Sequence, residues 1–142
     1  MENDELFIGG FAGGFLARSI TRIGYGIYFT TTRVIGIDLG ENGGGSLGGT
    51  LAGFIEGQLM PKLSPEESAK IITDLDRMKE FEFGKNEISR IDLRKPGILG
   101  LGHIVITPSE GKSEKITLRH RIAYDRLVQL TQAFSPELVS SS

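Results

Sequence analysis

The pattern of this chain predicts a mainly β, α+β fold: antiparallel strands, a helical insertion after the third strand, and a C-terminal amphipathic helix packed on the sheet. Three observations carry that expectation. Residues 25–39 are dense in β-branched and aromatic residues, two apolar runs broken at Thr30 to Arg33, as in a tight hairpin near the middle of a sheet. Residues 81–119 alternate with period two, as half-buried strands do. Ala123, Leu127, Leu130 and Phe134 then fall in one line at helical spacing.

Taken in order, Glu5 to Phe11 reads as the first strand, and Leu16 to Gly24 as a loop. The pairs Gly9-Gly10 and Gly13-Gly14 suit bulges or a close backbone approach. After the hairpin, Gly40 to Ser46 has no periodicity and reads as a turn. Gly45, Gly49, Gly53 and Gly57 follow at intervals of four, which on a helix makes one smooth face. Each such glycine costs about 1 kcal/mol against alanine, so a helix there needs a closely approaching partner. That partner is the chain's own domain or a second copy. A membrane-associated helix or an extended glycine segment are the other readings. Ser64-Pro65-Glu66-Glu67 joins an N-cap serine, a proline at the first helical position and a capping-box glutamate. The helix it starts turns Ala69, Ile72, Leu75 and Met78 to one side and should end near Lys79.

In the last third, Phe81 and Phe83 share a face, as do Ile91 and Leu93. Lys95-Pro96-Gly97 reads as a turn. Ile104 and Ile106 oppose His103, Val105 and Thr107, and Gly111 sits in a hairpin returning through Ile116 and Leu118. Ser135-Pro136 ends the final helix, and Glu137 to Ser142 should fray. The whole reads as one domain, residues 1–142, with the insertion over about 40–79.

Composition narrows the function classes. A net charge of −2 over 142 residues lacks the basic excess of a nucleic-acid binder. The absence of cysteine removes disulfides, thiolate nucleophiles and cysteine metal sites, and agrees with a cytoplasmic setting. The acidic start, Met-Glu-Asn-Asp-Glu, is unlike a secretory leader, and no apolar run reaches the ~20 residues of a membrane span.

No catalytic constellation, metal set or cofactor site stands out. Gly43 to Gly48 matches G-x-G-x-x-G, with Glu66 and Glu67 at a spacing suited to a ribose contact. That motif needs a parallel βαβ unit, against the antiparallel reading of everything after residue 80. His103 and His120 are too few for a three-ligand zinc site and read as structural. Arg33, closing the hairpin, reads as the partner of a local carboxylate or carbonyl. Candidate contacts for an anionic ligand are Arg18 and Arg22, between the first two strands, and Lys115 and Arg119, outward on one strand.

Gly26 to Gly36, Gly-Ile-Tyr-Phe-Thr-Thr-Thr-Arg-Val-Ile-Gly, resembles the strand–turn–strand signature of pleckstrin-homology-like domains of the prokaryotic and GRAM type. In those a Thr and an Arg bracket the turn, as Thr30 and Arg33 do here. Phe81-Glu82-Phe83, Glu87 to Leu93, the 103–119 hairpin and the final helix are similar in order and spacing, so the likeness covers most of the chain outside 40–79. The resemblance implies a partly open barrel or sandwich capped by the C-terminal helix, without enzymatic activity. It also implies that the chain binds lipid head groups, peptides or its own copies. The expectation is therefore a non-enzymatic binding or assembly module, a homo-oligomer joined through Gly45, Gly49, Gly53 and Gly57. The alternatives are peripheral binding to anionic membrane lipids and a nucleotide-binding enzyme using Gly43 to Gly48.

Overall fold

A computed structural model describes residues 5–19, 21–39, 63–98 and 100–141. They form a mixed α+β structure: one eight-stranded sheet and two α-helices. The strands are β1 (Phe7–Ala17), β2 (Ile23–Thr30), β3 (Arg33–Asp38), β4 (Phe81–Gly84), β5 (Ile88–Arg94), β6 (Gly102–Pro108), β7 (Glu114–Leu118) and β8 (Val139–Ser141). Helix α1 (Pro65–Met78) lies between β3 and β4, and α2 (Arg121–Phe134) follows β7. The sheet order is β4-β3-β2-β1-β7-β6-β5-β8, antiparallel throughout except for the β5–β8 pair.

The hairpin at the centre forms as its residues require. Tyr25, Ile27 and Phe29 face α2 in one apolar cluster, while Tyr28 and, on β3, Ile35 and Ile37 face α1 in another. Residues 24–30 are therefore buried without a break, as in a strand covered on both faces. Strands β5 to β7 cover α2 with one face only, and there the alternation is clean: Ile91 and Leu93, Ile104 and Ile106, Ile116 and Leu118 are buried. Helix α1 carries the full capping box: the Ser64 hydroxyl accepts from Glu67 N at 3.1 Å, and Ser64 N donates to Glu67 Oε1 at 2.9 Å.

β1 and the C-terminal end depart from the sequence reading. β1 does not stop at Phe11; it runs to Ala17 through a register shift between Gly13 and Ala17. Gly13 has φ +139°, which side-chain-bearing residues rarely adopt, and the irregularity lets Leu16 and Ala17 pair with Leu118 and Thr117 of β7. The segment expected as a loop is thus the seam between two antiparallel meanders. At the other end, Glu137 does not begin a frayed tail. Pro136–Leu138 is a 3-10 turn, and β8 pairs with β5 from Ile91 to Leu93, with Leu138 and Val139 against the core. Backbone groups on the β5 edge and two apolar side chains supply the order that the polar Ser-rich sequence concealed.

Strands β4 and β5 are near opposite ends of the sheet order, yet only the 3-10 turn Lys85–Glu87 joins them. Three residues reach about 10 Å, so the sheet must curl until those strands meet at that corner. Lys85 N donates to Thr32 O and Ser109 N to Glu87 O, each at 2.7 Å, fixing the turn to both sides. The sheet stays open, with no β4–β5 ladder among the described residues. Helix α2 lies in the curl, with Phe134 on Phe29 at 5.5 Å between ring centres and Lys85 Nζ 4.9 Å from the Phe134 ring centre.

Candidate binding site at the β1–β7 seam

The four basic residues singled out in the sequence separate into two kinds. Arg22 donates to Asp38 (Nη2 to Oδ2, 2.6 Å) and to Glu80. Arg18 reaches Glu114 at 2.5 Å and Glu80 at 3.4 Å, with its guanidinium 5.5 Å from the ring centres of Tyr25 and Phe81. The Tyr25 hydroxyl donates to Glu80 as well; burial first, then that carboxylate, pushes the phenol above its usual pKa. Arg18 and Arg22 therefore clasp the β1–β2 turn to the start of β4, and their charge is spent on local carboxylates. Nothing in the sequence singled out Glu80 as their shared acceptor.

Lys115 is exposed on β7, opposite Val105 and on the same face as His103; burial and then this ammonium hold that imidazole below its ordinary pKa. Arg119 lies at the joint between β7 and α2. Its backbone N–H donates to Phe15 O at 2.8 Å, and its Nη1 donates to Gly14 O at 3.0 Å. No carboxylate partners it among the described residues. It borders a cleft of about 510 Å³ lined also by Phe11, Gly13, Phe15, Ile122 and Arg126. Arg126 has its guanidinium 5.9 Å from the centre of the Phe11 ring and likewise meets no carboxylate among the described residues. The acid nearest to it in sequence, Asp125, is taken by Arg121.

Phe15 stacks on His120 with ring centres 4.6 Å apart, and both Phe15 and Ile122 remain 41% exposed. Beyond Arg119 a second hollow of about 380 Å³ is bordered by Ile23, Leu101 and Thr117. The exposed large apolar side chains of the described residues are Leu6, Phe15, Ile23, Ile98, Leu101 and Ile122. All but Leu6 are at this seam or on the β5–β6 connection that carries Leu101. Phe15, Ile122 and Arg126 were missed in the sequence because the β1 extension that gathers them follows from the Gly13 irregularity.

At the far end of β1, Arg33 is engaged by carboxylates remote in sequence. Its Nε is 2.8 Å from Glu5 Oε2, and its Nη1 is 2.6 Å from Asp76 Oδ1 and 2.9 Å from Glu82 Oε1. Glu5 also accepts from the hydroxyls of Thr30 (2.5 Å) and Thr32 (2.9 Å). Burial alone would raise the Glu5 carboxyl, but hydrogen bonds from Arg33, Thr30 and Thr32 hold it below the usual carboxylate range. Arg33 does the same for Asp76. The Thr30–Arg33 turn is thus a fastening between the residue leading into β1, α1 and β4.

Gly43 to Gly48 and the row Gly45, Gly49, Gly53 and Gly57 lie outside the described residues. Among the described residues no helix is long and apolar enough to cross a membrane, and no three His, Asp or Glu side chains gather as metal ligands. Comparison with family models, curated proteins and solved structures finds no match to this chain.

Proposed function

We propose that this chain is a non-enzymatic binding module of pleckstrin-homology-like fold, and that it attaches peripherally to anionic membrane surfaces through the β1–β7 seam. The fold part is supported by two antiparallel meanders joined at β1 and β7, split between β4 and β5, with α2 in the curl. The binding part rests on one observation: Arg119 and Arg126 share a cleft without a carboxylate partner among the described residues, beside exposed Phe15 and Ile122. Cations next to exposed apolar side chains suit a surface that is negative outside and apolar just beneath. The contacts differ from the first expectation, because Arg18 and Arg22 are occupied.

Sedimentation with phosphatidylserine-containing vesicles tests the reading. The protein pellets at low salt and less at high salt, and Arg119→Glu with Arg126→Glu stays in the supernatant. Wild-type protein left in the supernatant at low salt refutes it. The assembly reading rests on the four-spaced glycines alone. It expects Gly53→Leu to change the molar mass or the melting temperature, and a variant matching wild type in both ends it.

A further inference from the structure

The seam is more than a charged patch, because its cleft has two chemically different walls. Gly13 and Gly14 border it, and a methyl at either position would meet nothing within 4 Å, so the backbone stands clear of the space. Phe15 and Ile122 line the apolar part. The guanidinium of Arg119 uses one N–H on Gly14 O and has others to give, and Arg126 lies over the Phe11 ring. The second and third amides of α2 are occupied: Ile122 N donates to His120 Nδ1 at 3.0 Å and Ala123 N to His120 O at 3.1 Å. An anion here would therefore be held by guanidinium groups, which grip carboxylate or phosphate oxygens in pairs. About 510 Å³ falls within the range of small-molecule sites and exceeds what a lone inorganic anion needs.

We infer that this cleft is a one-to-one site for an amphipathic anion, a carboxylate or phosphate joined to an apolar chain, with the head on Arg119 and Arg126 and the chain against Phe15 and Ile122. The inference rests on the seam being the binding surface, and it adds a defined pocket with fixed stoichiometry. Such an anion has two sources, the head and upper chain of a membrane lipid or a free fatty acid.

Isothermal titration of the full chain separates these. The probes are dihexanoylphosphatidic acid below its micelle concentration and octanoate, with inorganic phosphate and dihexanoylphosphatidylcholine as controls. Saturable binding near one per chain is expected for at least one anionic amphiphile, at least about tenfold tighter than for inorganic phosphate or the zwitterion. Arg119→Gln and Arg126→Gln each weaken it by about tenfold or more. Gly14→Leu, which adds bulk at the border of the cleft and leaves both arginines, weakens it and keeps the test sound if an arginine variant fails to fold. Preference for the phosphatidic acid assigns a lipid, and preference for octanoate a free acid.

Inorganic phosphate binding as tightly as either amphiphile would overturn the inference, as would full affinity in a folded Gly14→Leu protein. Vesicle sedimentation of the same samples keeps the two ideas apart. Wild type that pellets with anionic vesicles yet takes up neither amphiphile leaves the membrane reading standing and removes the pocket.

Discussion

Replacing Arg33 by methionine keeps the length and apolar stem of the side chain and removes the charge that three carboxylates share. The loss is uneven. Asp76 and Glu82 have side chains 40% and 36% exposed, and Lys79 still reaches both. Glu5 is only 12% exposed and keeps just the Thr30 and Thr32 hydroxyls. Breaking a fully buried ion pair costs about 3–5 kcal/mol, and with one of three partners deeply placed the figure here is about 3 kcal/mol at neutral pH. For a chain of this size that is roughly 8–10 °C in melting temperature. Glu5 and Asp76 both have folded-state pKa values below their unfolded ones. Their contribution is present above the unfolded carboxylate value, about pH 4, and is lost as pH falls through the lower folded value. The gap between wild type and Arg33→Met therefore narrows as pH falls below about 4. Urea denaturation at a series of pH values measures both quantities. A gap under about 0.5 kcal/mol at neutral pH, or one unchanged down to about pH 3, would refute the reasoning.

Other consequences of the packing are as open to measurement. A methyl on Gly102 would strike the backbone of Arg94 and Pro96, which cannot yield as a side-chain tip can, whereas one on Gly97 meets open space. Gly102→Ala should cost about 3 kcal/mol and Gly97→Ala under about 0.5, by chemical denaturation. Leu75→Ala, on the buried face of α1 in the cluster with Tyr28 and Ile35, should cost about 2–5 kcal/mol without changing vesicle sedimentation, which the seam governs. Among the described residues the buried Tyr28 hydroxyl meets no hydrogen-bond partner, so Tyr28→Phe should leave stability unchanged or raise it by up to about 1 kcal/mol; a clear loss would reveal a partner.

Elements whose instructions are local were legible in the sequence. Ser64, Pro65 and Glu67 lie within four consecutive positions, and they set the start of α1 where expected. The alternation of β5 to β7 and the Ala123–Phe134 line likewise encode a single buried face each. What escaped was decided by contacts far apart in sequence. β1 continues past its glycines because β7, about a hundred residues later, accepts Leu16 and Ala17. β8 forms because β5 offers an edge. The candidate site fared accordingly: Arg119 was named, Arg18 and Arg22 were named but are neutralised by Glu80, Asp38 and Glu114, and Arg126 entered only once α2 lay against the Phe11 face.

The position of α2 in chain order bears on how the protein is made. A nascent chain can pair β1 to β4 and lay α1 over their outer side, but Tyr25, Ile27, Phe29 and Val34 stay bare on the other side until α2 leaves the ribosome. Synthesis therefore passes through a stage in which the described residues that close this apolar cluster are not yet all made. Stop codons placed before Ala123 should yield aggregates or chaperone clients rather than a smaller stable domain.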